Sequence, residues 1–97
     1  MKYLIIGINK DNGNHQNPHE AIRAYIYNGS DGKLYYYYRQ DMVNKLRNGD
    51  LAYTHQDGYT DAKCEVRSNG HIEFLQTVSD GKYTNNLLSL PEYKIEE

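Results

Sequence analysis

From Glu20 to Tyr38 the chain alternates in a way that few architectures accommodate. Ile22, Ala24 and Ile26 interleave with Arg23, Tyr25 and Tyr27, and after Asn28-Gly29-Ser30-Asp31-Gly32 comes Leu34-Tyr35-Tyr36-Tyr37-Tyr38. Successive side chains of a strand point to opposite faces, so the pattern reads as two strands joined by turn-forming residues. A hairpin centred on Ser30 pairs Ile26 with Leu34, Ala24 with Tyr36 and Ile22 with Tyr38. That register keeps one apolar face continuous. It predicts that Tyr25, Tyr27, Tyr35 and Tyr37 stand together on the opposite, outward face with Arg23 at their margin.

Other segments punctuate in the same style. Tyr3–Ile8 is rich in β-branched residues and reads as a first strand. It is not a signal peptide, because its apolar run is short and Asn9-Lys10-Asp11 follows it. The loop Asn9–Pro18 holds four Asn and is longer than most connections. Arg39–Asn48 places Met42, Val43 and Leu46 on one helical face, with Asp41 in the first turn and Gly49 as the terminating residue. Leu51–His55 is a short strand, and Ala62–Arg67 and His71–Val78 form a second hairpin. A three-residue loop, Ser68-Asn69-Gly70, is preferred there because it pairs Val66 with Ile72, Cys64 with Phe74 and Ala62 with Gln76. Leu87, Leu88 and Leu90 form an apolar cluster expected to plug one end of the sheet.

These elements predict one α+β domain over residues 1–97. It is a small antiparallel sheet of about five or six short strands with one helix, in the order β-β-β-α-β-β-β. The 97 residues include 11 tyrosines, whose rings supply burial that a hydropathy scale undercounts. The net charge of −2, with signs interspersed, gives no field aimed at DNA or an anionic membrane. No run reaches the roughly 18 apolar residues of a membrane span. The single cysteine, Cys64, allows no internal disulfide and suits a reducing, cytoplasmic setting.

The run Phe74-Leu75-Gln76-Thr77, then Asp80-Gly81, then Asn85-Asn86-Leu87-Leu88-Ser89-Leu90-Pro91 resembles the ending of a bacterial family catalogued as domain of unknown function 3892. Members are also similar in opening with a strand and in closing a short helix with Gly, as Asp41–Gly49 does here. The sequence departs from the family pattern in its tyrosine-rich centre and in Glu92-Tyr93 after Pro91, where many relatives are expected to carry cysteine. The resemblance implies a compact bacterial or phage-borne accessory domain and transfers no catalytic residue.

Chemistry-bearing constellations are sparse. His15 and His19 flank Pro18 in a loop, without the helix that would align them as metal ligands. His55 and His71 sit singly at strand edges. Cys64 alternates in step with Ala62 and Val66, which places an inert thiol in the core. Asp57, Asp61 and Asp80 sit in turns and serve them. The loop Asp11-Asn12-Gly13-Asn14 lacks the glycine and closing glutamate of an EF-hand. No enzyme activity, metal or cofactor is therefore expected. The candidate binding residues are Arg23, Tyr25, Tyr27, Tyr35 and Tyr37, since Tyr and Arg are favoured at interface centres. A protein partner is expected, with the chain as a regulator or inhibitor of a larger complex. Stacking of single-stranded nucleic acid is the alternative. No membrane contact is expected, and both a monomer and a homodimer fit the sequence.

Overall fold

The computed structural model describes residues 1–10, 18–79 and 81–95. Among the described residues, seven strands form one sheet: β1 (Lys2–Lys10), β2 (Ile22–Asn28), β3 (Leu34–Tyr38), β4 (Leu51–Thr54), β5 (Ala62–Ser68), β6 (Glu73–Ser79) and β7 (Lys82–Thr84). Helix α1 (Arg39–Arg47) lies between β3 and β4, and single 3₁₀ turns cover Pro18–Ala21 and Asn86–Ser89. The strand order is β3-β2-β1-β4-β5-β6-β7. This α+β sheet is mostly antiparallel but mixed, because β1 and β4 run parallel. The sequence reading missed both that parallel pair and β7. The helix is the crossover that returns the chain to the same direction, as a parallel pair requires.

The sheet curls strongly. Although β1, β4 and β5 separate β2 from β6, the Leu75 N–H donates to the Tyr25 hydroxyl at 3.1 Å. β7 pairs only with Thr77–Ser79, so this phenol serves a β6 amide that lies beyond its reach. Met42 and Val43 of α1 are buried in one core cluster with Tyr3, Ile5, Ile8, Tyr25 and Tyr27. The helix ends as Gly49 suggests. The Gly49 N–H donates to Leu46 C=O and the Asp50 N–H to Lys45 C=O, with Gly49 at φ 99°.

Strand β1 reaches the core through an irregularity. Its pairing with β2 skips a residue between Ile5 and Gly7, so Tyr3, Ile5 and Ile8 all join the same cluster despite their odd spacing. Beyond Ile5 the tail takes the place that β4 leaves. The Ile8 N–H donates to Pro91 C=O at 3.0 Å and the Tyr93 N–H to Ile8 C=O at 2.8 Å. The Tyr93 ring lies where a side chain on Gly7 would be, 2.1 Å from an ideal Cβ. Only glycine fits there.

The β5–β6 register corrects the expected three-residue loop. Val66 pairs with Leu75 and Cys64 with Thr77, and Ser68–Glu73 is the last pair. Asn69 explains the longer loop: its Oδ1 accepts the His71 and Ile72 N–H groups at 2.8 and 2.9 Å. Alternation could not reveal this, because Phe74 and Leu75 are both buried, one on each face. The leucine tail packs inward as expected, with Leu87 and Leu90 buried in the core.

Candidate functional site

The β2–β3 hairpin carries the tyrosine cluster. Its register is Ala24–Tyr38, Tyr25–Tyr37, Ile26–Tyr36, Tyr27–Tyr35 and Asn28–Leu34, two residues from the expected pairing. A shift of two preserves faces, so Tyr25, Tyr27, Tyr35 and Tyr37 do share one side. The side is the wrong one for an exposed patch. α1 covers it, Tyr25 and Tyr27 are buried, and Tyr37 is half-buried; only Tyr35 is exposed. Arg23 is half-buried and its guanidinium lies 5.7 Å from the ring centre of Tyr38, on the opposite side.

On the helix side the rings lock together. Tyr27 stacks on Tyr37 at 5.5 Å and on Tyr35 at 5.9 Å, and meets the Tyr3 ring edge-on at 4.9 Å. Lys45 of α1 sits 5.3 Å from the Tyr37 ring centre. The Tyr3 hydroxyl donates to Asp50, whose carboxylate also holds the Met1 ammonium at 3.0 Å. Burial, followed by Tyr37 and Asp50, pushes the Tyr3 phenol up to about 12. Burial pushes Tyr27 up to about 12 as well, and raises Tyr25 further. The Tyr35 ring lies over Gly29 and its hydroxyl donates to Asp31, which raises the Tyr35 phenol and lowers the Asp31 carboxyl.

The other side is where aromatic surface meets solvent. Ala24 and Ile26 are buried beneath it, while Leu34, Tyr36 and Tyr38 of β3 are exposed, with Tyr36 and Tyr38 edge-to-face at 5.4 Å. Ile26, Leu34, Tyr36, Tyr93 and Ile95 line a cleft of about 230 Å³. Among the described residues β3 is an end strand of the sheet, so this surface runs to the sheet's edge. Sequence reasoning assigned Tyr36 and Tyr38 to the core because isoleucines alternate with them. Leu34 shares their parity, so the alternation carried no contrary signal.

Other expectations resolve simply. Cys64 is buried in the core, and burial pushes its thiol up to about 12. His19, read from the sequence as a loop residue, is buried, and burial followed by the charges of Arg67 and Lys10 lowers its pKa. His55 lies 2.8 Å from Asp61 and 3.8 Å from Asp57. His15, the Asp11–Asn14 loop and Asp80 lie outside the described residues. Among the described residues no group of three or more His, Cys, Asp or Glu is placed to hold a metal ion, and no helix is long and apolar enough to cross a membrane.

The tail motif has a structural part to play. The Asn86 N–H donates to the Thr77 hydroxyl at 3.3 Å, and the Thr84 hydroxyl donates to Asn86 Oδ1 at 2.7 Å. These bonds seat the leucines of the 3₁₀ turn at the β6–β7 end of the sheet. The family model described as "Protein of unknown function (DUF3892)" matches residues 4–91. The chain belongs to this family. Searches of curated proteins and of solved structures find no match. In this DUF3892 domain the motif seats the leucine tail against β6 and β1, with Leu87 and Leu90 in the core cluster.

Proposed function

We propose that this domain is a non-catalytic binding module that acts by protein–protein contact through the outer surface of β3. The observation that carries the reading is the exposure of Leu34, Tyr36 and Tyr38 together on an edge strand. Tyrosine supplies large contact area with few rotors to freeze, and Arg23 adds a guanidinium beside the Tyr38 ring. The binding residues proposed are thus Arg23, Leu34, Tyr36 and Tyr38, with Tyr35 at the turn end. A regulator or inhibitor of a larger complex, in a bacterial or phage-borne cytoplasmic setting, is the most concrete form of this proposal. Stacking of single-stranded nucleic acid is the alternative, and the net charge of −2 weighs against it.

Affinity capture tests the reading, comparing the native chain with a Tyr36→Ser/Tyr38→Ser variant whose circular dichroism is native. Proteins recovered by the first and lost by the second support it. Equal recovery by both overturns it.

A further inference from the structure

We propose that Pro91–Ile95 is a displaceable strap that holds closed the groove beside β3, with the Tyr93 ring as its plug, and that a protein partner binds with the strap lifted. This deepens the contact proposed above for Leu34 and Tyr36 and rests on it.

The strap lies across the outer side of the sheet. Tyr93 and Ile95 are half-buried while Glu92 and Lys94 are exposed, the alternation of an extended segment with one side laid on the sheet. Two clefts flank it, and Tyr93 lines both. One, of about 230 Å³, lies between Tyr93 and Ile95 of the strap and Leu34 and Tyr36 of β3, with Ile26 in its lining. The other, of about 490 Å³, is lined by Ile6, Asn28, His55 and Asp57. Lifting the ring off Gly7 joins the two into one groove with Ile6 and Ile26 along it.

Gly7 gives the ring its seat. A glycine inside a strand packs no side chain of its own, and it marks a close approach by another group. Here that group is Tyr93, whose ring atoms lie 2.1 and 2.3 Å from the place of a Cβ. The stretch matched by the family model includes Gly7, β2 to β7, α1 and both 3₁₀ turns, and it ends at Pro91. The socket is therefore part of the matched domain, while its plug is carried just beyond it.

The hold on the plug is light. Besides the Ile8 bond to Pro91, the Tyr93 N–H donates to Ile8 C=O and the Asn9 Nδ2 donates to Tyr93 C=O at 2.7 Å. Lys10 and Glu92 are 3.9 Å apart, and with the Glu92 side chain 63% exposed such a pair adds little. The Asn9 Oδ1 is buried with no partner among the described residues, a cost that water relieves once the strap lifts. Ile8 keeps its pairing with Tyr25 when the strap leaves, so opening needs no loss of the sheet.

Amide exchange of the full chain, followed by NMR, tests this together with Tyr93→Ser and Gly7→Ala, which remove the plug and its seat. In the native chain the Tyr93 and Ile8 amides are expected to exchange at least about tenfold faster than the β5–β6 ladder, through a local opening. Either variant speeds Ile8 exchange further and raises binding of the apolar dye anilinonaphthalene sulfonate several-fold, and adding Leu34→Ser reverses that gain. One variant suffices if the other fails to fold, and native exchange decides if neither does. A Tyr93 amide that exchanges no faster than the β5–β6 ladder overturns the strap, as does dye binding unmoved in a folded variant. Affinity capture separates this from the reading beneath it. Partners lost with Tyr36→Ser/Tyr38→Ser and recovered several-fold more by Tyr93→Ser support both. Equal recovery by the native chain and Tyr93→Ser overturns the strap and leaves the contact reading standing. Recovery indifferent to Tyr36→Ser/Tyr38→Ser removes both.

Discussion

The β2–β3 hairpin carries tyrosines on both faces, and the two sets live under different physics. Tyr25, Tyr27 and Tyr37 sit under α1: Tyr27 and Tyr37 stack on each other and meet Tyr3 edge-on, and the Tyr25 hydroxyl serves a β6 amide. Tyr36 and Tyr38 project from the outer side of the same hairpin, one residue away in sequence, and remain exposed. A hydroxyl-bearing ring suits either place. What separates the sets is the curl of the sheet and the position of the helix, which make one face of the hairpin part of the core.

Alkaline titration tests that contrast most severely. The buried phenols hold their protons more tightly in the folded state than at the ordinary value of 10.0. Stability is thus fully present below pH 10 and falls as the pH rises from about 10 towards 12. Loss of native circular dichroism is expected to accompany phenolate absorbance from Tyr3 and Tyr27. A chain that stays folded after both ionise would erase the distinction between the faces.

Truncation gives the next largest effect. Tyr25→Ala empties a fully buried site and leaves the Leu75 N–H without its acceptor, at a cost of about 3–5 kcal/mol in chemical denaturation. Gly7→Ala probes the cover of the outer side, since a Cβ there collides with the Tyr93 ring; destabilisation of about 1–3 kcal/mol is expected. Tyr36→Ala is the smallest: stability within about 0.5 kcal/mol of native, measured by the same denaturation. A loss as large as that of Tyr25→Ala would show that the outer rings are core after all.

Much of this arrangement was legible beforehand. The helix and its glycine stop, the two hairpins, the inward Cys64 and the leucine tail followed from periodicity and turn chemistry. The grouping of Tyr25 and Tyr27 with Tyr35 and Tyr37 followed from strand parity, which survives a register shift of two. Which face became the core did not follow. β2 is apolar on both sides, and hydropathy favoured isoleucine over tyrosine, yet the tail covers one side and the helix the other. The β5–β6 register failed for a related reason, because Phe74 and Leu75 are both buried and parity has nothing to choose between.

By itself, then, the sequence determined where the helix and the strands other than β7 lie, because those are set by alternation, periodicity and the backbone demands of residues such as Gly49. Tertiary structure alone decided the parallel β1–β4 pair, the irregularity that returns Ile8 to the core, and the seat of Tyr93 on Gly7. It also decided which tyrosines meet solvent. Those outcomes depend on contacts between residues far apart in the chain, and local pattern carries no record of what a face will pack against.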